Sequence, residues 1–230
     1  MIAKPILISI EGDIGAGKST LIKTLRDAHP EWHFIDEPVN TWLELKNERG
    51  ENLLELFYKD QDKYAYTFQN CAILSRARNI QNAVHEWQAT CVENPALAAH
   101  NVFVTERCLE TDYHVFAKMM YDSGRMGVLE WTLYKMWYEF ALTNSYALCG
   151  VIHVATPPDV CLARIGVRGR KEEEGISLDY LKSLEEYQNA WLYTENNKVP
   201  LLKFVNYGPM EEQTTVADIE QFIAKAVVAE

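Results

Sequence analysis

The nine residues GDIGAGKST at positions 12–20 decide the fold class of this chain. Gly12, Gly17, Lys18 and Ser19 follow the phosphate-loop spacing G-x-x-x-x-G-K-S. Glycines allow successive backbone N–H groups to point into one concavity that binds an anion. In such a loop the lysine reaches the β- and γ-phosphates, and the serine hydroxyl binds Mg²⁺. The stretch therefore predicts a nucleoside triphosphate site, although it does not name the reaction.

The residues on either side of the loop fit a strand–loop–helix unit. PILISI at residues 5–10 is an apolar run typical of a buried strand, and TLIKTLRDA at residues 20–28 has helical periodicity. The N-terminus of that helix adds partial positive charge at the loop. This order of elements is the one in which a phosphate loop functions.

Strands and helices alternate along the rest of the chain. Further strands are predicted at residues 32–36, 101–105, 150–156 and 199–205. Helical patterns are predicted within or near residues 51–90, 109–123, 127–147, 158–165, 177–195 and 210–229. This alternation predicts an α/β fold with a parallel sheet covered on both faces. The ligand is then expected at the carboxyl ends of the strands.

Composition limits the possible partners and compartments. The chain has 230 residues, 48% hydrophobic residues, a formal net charge of −11 and five cysteines. Its length suits one domain over residues 1–230, and its charge disfavours nucleic acid polymers and anionic lipid. No apolar run is long enough to predict a membrane span. A strand that begins at residue 5 and an odd number of scattered cysteines lead us to expect a cytoplasmic protein without a targeting segment.

Five stretches of sequence resemble one known family. In chain order they are IEGDIGAGKST, EPVNTW, FQNCAILSR, ERCLETD and RIGVRGRKEEEGI. Together they resemble the deoxynucleoside kinase family, in its branch of deoxycytidine and deoxyguanosine kinases. The resemblance implies a phosphate-loop kinase fold with a five-stranded parallel sheet, flanking helices and an arginine-rich lid at about residues 166–176. It also implies a homodimer that transfers a phosphoryl group from ATP to a deoxynucleoside 5′-hydroxyl in nucleotide salvage.

The resemblance assigns residues to the phosphate donor. The ATP phosphates are expected to contact Gly12, Gly15, Gly17, Lys18, Ser19, Thr20, Arg164, Arg168 and Arg170. Three guanidinium groups beside a polyphosphate neutralise developing charge and exclude water. Mg²⁺ is expected at Ser19 and Glu106. The segment at residues 206–212 lies where the family places its donor-base loop, but its match is too weak to name a residue.

Two further residues are expected to act at the reacting atoms. Glu37 matches the family's catalytic base. A carboxylate beside the 5′-hydroxyl can accept its proton, and Pro38 restricts the backbone of Glu37 to an extended conformation. Arg107 matches the arginine near the 5′-oxygen and the transferred phosphate, where its planar donors suit phosphate oxygens. Cys108 departs from the usual serine, which puts any hydroxyl hydrogen bond from that position in doubt.

A third group of residues is expected to hold the nucleoside. Gln69, Ala72 and Arg76 are spaced so that they share one face of a helix, and glutamine can bond a base edge as donor and acceptor. Glu173 and Tyr58 match the pair that binds the sugar 3′-hydroxyl. The full expected set is Ile14, Val39, Trp42, Leu54, Tyr58, Phe68, Gln69, Ala72, Arg76, Asp112, Phe116 and Glu173.

The resemblance also implies a base preference, because Ala72, Arg76 and Asp112 match the family positions that separate deoxycytidine- and deoxyguanosine-type kinases from thymidine-accepting ones. An ionised aspartate suits the exocyclic amine of cytosine or adenine, and arginine suits the O6 and N7 acceptors of guanine. Thymine would place a carbonyl against the aspartate. We therefore expect deoxycytidine or a purine deoxynucleoside to be preferred over thymidine.

Two other functions remain open at the level of sequence. A thymidylate-kinase-like nucleoside monophosphate kinase shares the loop and the fold, but it needs cationic groups for the phosphate of its acceptor. A nucleotide-binding switch or scaffold would bind ATP without turnover, and it would leave Glu37 and Glu173 unexplained. An assay of ATP with each of the four deoxynucleosides separates all three functions.

Overall fold

The computed structural model describes residues 4–195, 197–206 and 212–228. Five parallel strands form one sheet in the order β2-β3-β1-β4-β5. The strands are β1 (Ile6–Glu11), β2 (His33–Ile35), β3 (Val102–Glu106), β4 (Leu148–Ala155) and β5 (Leu201–Val205). The predicted five-stranded parallel sheet is confirmed, with strand ends that differ from the expected ones by one or two residues.

Helices connect the strands and cover the sheet. They are α1 (Lys18–Ala28), α2 (Val39–Glu44), α3 (Leu53–Lys59), α4 (Gln61–Glu93), α5 (Leu109–Thr111), α6 (Lys118–Asp122), α7 (Val128–Thr143), α8 (Pro158–Arg168), α9 (Leu178–Leu192) and α10 (Glu212–Val228). None of the described helices combines the length and the apolar character that a membrane span requires.

Three local features differ from the sequence-based expectation. The short helix α2 was not predicted, and α7 ends at Thr143 rather than near residue 147. The predicted helix over residues 109–123 contains a π-helical segment, Asp112–Ala117, between α5 and α6. Such segments are short, rare and often found at functional sites.

The strand order places a crevice above β1. All six residues of β1 are buried, because its neighbours β3 and β4 lie on opposite sides of it and helices cover both faces. The connections from β1 and from β3 leave the sheet in different directions at this point. In parallel α/β sheets a ligand crevice opens at such a reversal, beyond the carboxyl ends of the strands.

Candidate active site

A cavity of about 810 Å³ opens at the carboxyl ends of β1, β2 and β3. Its wall includes every predicted site residue except Gly12. At Gly12 the backbone has a φ of 146°, and an added Cβ would lie 2.6 Å from the Val154 carbonyl oxygen. Gly12 therefore packs the phosphate loop against β4 instead of facing the cavity.

The phosphate loop surrounds the lysine at its centre. Gly17 has a φ of 103° and precedes the first residue of α1. The Nζ atom of Lys18 donates to the Asp13 carbonyl oxygen at 2.9 Å. Burial and the nearby charge of Arg107 lower the pKa of Lys18. An anion that entered the loop would oppose both effects and would favour the charged lysine.

Ser19 and Glu106 meet at the mouth of this loop. The Ser19 hydroxyl donates to a Glu106 carboxylate oxygen at 3.0 Å, and Lys18 Nζ lies 3.7 Å from the other oxygen. A hydroxyl and a carboxylate supply the hard oxygen ligands that Mg²⁺ prefers, while substrate phosphates and water commonly complete its coordination. The side chains present therefore fit the expected metal.

Glu37 lies against two arginines between the phosphate loop and α4. Its carboxylate accepts a hydrogen bond from Arg107 Nη1 at 2.6 Å, and Arg76 Nη2 lies 3.5 Å away. Burial acts to raise the pKa of Glu37, but the charges of Arg107, Arg76 and Lys18 outweigh it and lower the pKa to about 2. The carboxylate is therefore ionised at any working pH.

Arg107 has an unusual backbone conformation. Its φ is 64°, a left-handed value that costs free energy for a side chain other than glycine. Its N–H still donates to the Ile10 carbonyl oxygen at 3.1 Å, and its guanidinium donates to the Gly12 carbonyl oxygen and lies over the Phe116 ring. This conformation turns the side chain from the end of β3 back across the cavity towards Glu37.

Arg76 and Asp112 form a bidentate ion pair at the floor of the cavity. The Nε atom of Arg76 donates to Asp112 at 2.8 Å and Nη2 donates at 3.2 Å. Although burial acts to lower the pKa of Arg76, the carboxylates of Asp112 and Glu37 raise it. The guanidinium also donates to the Glu106 carbonyl oxygen at 2.6 Å. Burial raises the pKa of Asp112, while the charge and the hydrogen bonds of Arg76 act to lower it. The pair is thus held by two hydrogen bonds between its members and a third to the backbone.

Aromatic rings and one amide line the region beside this pair. Phe68 stacks on Phe57 with 4.4 Å between ring centroids, and Trp42 meets the edge of Phe68 at 5.2 Å. Gln69 is only 1% exposed. Neither its amide nitrogen nor its amide oxygen has a hydrogen-bond partner within the described part of the chain. A buried amide in this state requires an external donor and acceptor, since unpaired buried polar groups are costly.

The predicted lid residues cluster around one carboxylate. Helix α8 ends at Arg168, and Gly169 follows in a left-handed conformation. Glu173 accepts from Arg168 Nε at 3.1 Å and from Arg170 Nη1 at 3.4 Å. Arg164 instead donates to the Ala16 carbonyl oxygen in the phosphate loop at 3.1 Å. The structure therefore brings all three arginines to the cavity but ties two of them to Glu173.

Several features of the site were missed by sequence reasoning. Phe57 and Tyr180 line the cavity, and the buried Tyr180 hydroxyl has no hydrogen-bond partner among the described residues. The position of Tyr180, four residues after the lid stretch, was the available signal. Cys108 is buried with its sulfur 3.3 Å from the Thr111 hydroxyl, so it faces α5. Residues 207–211 of the expected donor-base loop lie outside the described residues.

A family model for deoxynucleoside kinase matches residues 8–227. The chain belongs to the deoxynucleoside kinase family. The match begins within β1 and covers the other four strands and the helices that line the cavity. The predicted family and enzyme class are therefore confirmed, and the chain is a deoxynucleoside kinase by descent and by fold.

Individual relatives agree with the family model. A deoxycytidine kinase 2 of Gallus gallus is 37% identical over 84% of this chain and 76% of its own length. The deoxycytidine kinase of Homo sapiens is 35% identical over 80% of this chain and 74% of its own length. A mitochondrial deoxyguanosine kinase of Xenopus laevis is 31% identical over 84% of this chain and 75% of its own length.

Proposed function

We propose that this kinase transfers the γ-phosphoryl group of ATP to the 5′-hydroxyl of a deoxynucleoside, with Mg²⁺ as cofactor. One observation carries the proposal: a single cavity joins the phosphate loop to the unpartnered amide of Gln69, with Glu37 and Arg107 between them. A base bound at Gln69 and phosphates bound in the phosphate loop leave a space between them that the sugar occupies. Its 5′-carbon points towards Glu37.

The proposed reaction needs one proton acceptor and several cations. The 5′-oxygen attacks the γ-phosphorus, the bond from that phosphorus to the β,γ-bridging oxygen breaks, and ADP leaves. Glu37 accepts the hydroxyl proton late, because its pKa of about 2 makes it a weak base until the oxygen bonds to phosphorus. Lys18, Arg107 and the lid arginines stabilise the charge on the transferred group. Ser19 and Glu106 would hold Mg²⁺, which would neutralise charge on the donor phosphates.

We propose that residues 166–176 form a lid that closes over the donor phosphates. In the structure Arg168 and Arg170 donate to Glu173, which we propose also holds the sugar 3′-hydroxyl together with Tyr58. Glu173 is only 7% exposed, whereas the side chains of Arg168 and Arg170 are 32% and 52% exposed, so these contacts lie at the rim of the cavity. A bound nucleoside would then position Glu173, and Glu173 would position the arginines.

We further propose that deoxycytidine or a purine deoxynucleoside is preferred over thymidine. The ion pair of Arg76 and Asp112 supports this preference, because its position in the cavity lets a carboxylate and a guanidinium face the base. The relatives named deoxycytidine and deoxyguanosine kinase fit the same preference. Thymine would place a carbonyl oxygen against the Asp112 carboxylate, and the two acceptors would repel each other.

A homodimer is proposed from the outer face of α7. Its exposed apolar side chains recur at helical spacing, at Leu129, Leu133, Met136, Trp137 and Phe140. An apolar stripe of this extent on one helix is typical of a covered interface. Light scattering should give twice the monomer mass, and Met136→Glu with Phe140→Glu should give the monomer mass.

Turnover with each of the four deoxynucleosides tests the proposed reaction. Purified protein is incubated with ATP and Mg²⁺, and monophosphate products are separated and quantified. We expect monophosphate from deoxycytidine or a purine deoxynucleoside, with a lower specificity constant for thymidine. Thymidine monophosphate is assayed in parallel, and activity on it alone would favour the monophosphate kinase. ATP binding without any product would favour a switch.

A further inference from the structure

Three side chains donate hydrogen bonds to one carbonyl oxygen in the phosphate loop, that of Ala16. The donors are Thr156 Oγ1 at 2.9 Å, Asn206 Nδ2 at 2.9 Å and Arg164 Nη1 at 3.1 Å. They come from the residues that follow β4 and β5 and from α8. Ala16, Thr156 and Asn206 are all at most 5% exposed. A carbonyl oxygen has two lone pairs, so three donors from three elements saturate it.

The orientation of this carbonyl fixes the orientation of the next N–H group. The Ala16 C=O and the Gly17 N–H belong to one peptide plane, and in a trans peptide they point in opposite directions. The three donors hold the oxygen on the side of β4, β5 and α8. The Gly17 N–H is therefore turned to the other side, and Gly17 lines the cavity. Backbone N–H groups turned inward are what makes such a loop bind an anion.

Glycine gives this peptide the freedom to turn over. Gly17 has a φ of 103°, where glycine alone is unstrained, and an added Cβ would lie 2.8 Å from Asn206 Nδ2. A peptide rotated by half a turn would aim the Ala16 oxygen at the phosphates, and that orientation would repel them.

We propose that Thr156 and Asn206 are positioning residues that, with Arg164, hold the Ala16–Gly17 peptide with its N–H towards the donor phosphates. The inference rests on the proposed phosphate-donor site. Arg164 contributes twice, because its Nη2 also donates to Asn206 Oδ1 at 3.4 Å. That contact leaves the Asn206 amide nitrogen for Ala16, so the amide has a complementary partner at each end.

The test replaces each donor with the closest shape that cannot donate. Thr156→Val removes only a hydroxyl, Thr156→Ser keeps it, and Asn206→Ala removes the amide. The Michaelis constant for ATP, the Michaelis constant for the deoxynucleoside, and the affinity for inorganic tripolyphosphate are measured for each. Thr90→Val and Asn101→Ala are matched controls, since each loses a hydrogen bond to a backbone carbonyl and neither residue lines the cavity.

Loss of one hydrogen-bond donor should weaken the binding of ATP and the binding of tripolyphosphate by the same factor, about three- to tenfold. Thr156→Val combined with Asn206→Ala should weaken the binding of both by about 10- to 100-fold, while the Michaelis constant for the deoxynucleoside stays within about twofold. Thr156→Ser and the two controls should match the wild type.

The inference is overturned if Thr156→Val leaves tripolyphosphate affinity unchanged, or if it weakens ATP but not tripolyphosphate. It is also overturned if the deoxynucleoside constant rises as much as the ATP constant. Thr156→Val is nearly isosteric with the native residue, so this arm stands even where Asn206→Ala does not fold. A wild-type protein that binds tripolyphosphate without turnover would refute the proposed function and leave the peptide orientation testable by the same binding series.

Discussion

Two carboxylates occupy corresponding places in the molecule and have opposite pKa shifts. Asp13 lies two residues after the end of β1, and Glu37 lies two residues after the end of β2. Burial and the charge of Glu185 raise the pKa of Asp13 to about 7, against the opposing charges of Lys18 and Arg107. For Glu37, by contrast, the arginines outweigh burial and lower the pKa to about 2.

Direct pairing explains the difference. Glu37 accepts from Arg107 at 2.6 Å, whereas in the described part of the chain no hydrogen bond or ion pair reaches the Asp13 carboxylate. Proximity to the same two cations is therefore not enough to keep the pKa of a buried carboxylate low. The charged side chains in the part of the cavity proposed to hold the nucleoside, such as Glu37 and Arg107, pair with each other. The phosphate loop instead contains a carboxylate whose ionisation would oppose its anionic ligand.

The largest expected effect is loss of the paired carboxylate itself. Glu37→Gln keeps the shape of the side chain and removes its capacity to accept a proton. Positioned proton transfer is worth on the order of 10²–10⁴ in rate, so we expect turnover to fall by that factor with little change in nucleoside affinity. Steady-state rates with Glu44→Gln, an exposed carboxylate on α2, provide the control. Near-normal turnover of the Glu37 variant would exclude the proposed base.

The second largest effect is expected on stability, when Asp112, the carboxylate partner of Arg76, is removed. Asp112→Ala leaves the buried Arg76 without its bidentate partner and with only the 3.5 Å contact to Glu37. Breaking a buried ion pair costs about 3–5 kcal/mol in the free energy of unfolding. Arg76→Met with Asp112→Leu should cost less, because no charge is left unpaired, and should raise activity on thymidine relative to deoxycytidine. Urea denaturation measures the first effect, and specificity constants measure the second.

Arg26→Ala is the matched control for this comparison. Arg26 pairs with Asp36 at 2.8 Å, but their side chains are 46% and 66% exposed. Exposed pairs contribute less than about 1 kcal/mol. Equal losses of stability in Asp112→Ala and Arg26→Ala would show that burial does not set the strength of the Arg76–Asp112 pair.

The sheet and the motif residues were predictable from sequence for a physical reason. Buried parallel strands are short apolar runs, and the residues that follow them carry the ligand chemistry, so local patterns name both. Helix α2 escaped prediction because six residues, VNTWLE, are too few to show a helical period and include two β-branched residues. The π-helical segment Asp112–Ala117 lies within a helical sequence pattern, and that pattern does not distinguish i→i+5 from i→i+4 hydrogen bonds.

The remaining features depend on contacts between residues far apart in the chain. Thr156 and Asn206 reach Ala16 across 140 and 190 residues. Thr156 lies outside the five matching stretches, and Asn206 begins a segment whose match is too weak to name a residue. The positive φ of Arg107 follows from its hydrogen bonds to Ile10 and Gly12, since nothing in ERC requires it. The opposite pKa shifts of Asp13 and Glu37 likewise depend on which cation each carboxylate touches.

Asp13→Asn tests the unpaired side of the comparison. The pKa of Asp13 is 3.8 in the unfolded chain and about 7 in the folded protein. As the pH rises through this interval, the unfolded chain loses its proton first, so the free energy of unfolding falls. We therefore expect the variant to be more stable than the wild type at pH 8, by up to about 4 kcal/mol, with the difference vanishing below about pH 4. Thermal denaturation across pH 4–8 measures the trend. A variant that is less stable at pH 8 would show that the Asp13 charge is compensated.

The smallest effect is expected in the lid, where the ion pairs are partly exposed. Arg168→Ala and Arg170→Ala each remove a guanidinium that we propose contacts the phosphates, and turnover should fall roughly 10- to 100-fold. The side chain of Arg168 is 32% exposed and that of Arg170 is 52% exposed, so Arg168→Ala should have the larger effect. The Michaelis constant for the nucleoside should change little, because Glu173 keeps one arginine in either variant. Glu173→Gln should raise that constant instead, since the 3′-hydroxyl loses a charged acceptor. If the arginine variants lose nucleoside affinity and keep their turnover, these residues serve the sugar through Glu173 and not the phosphates.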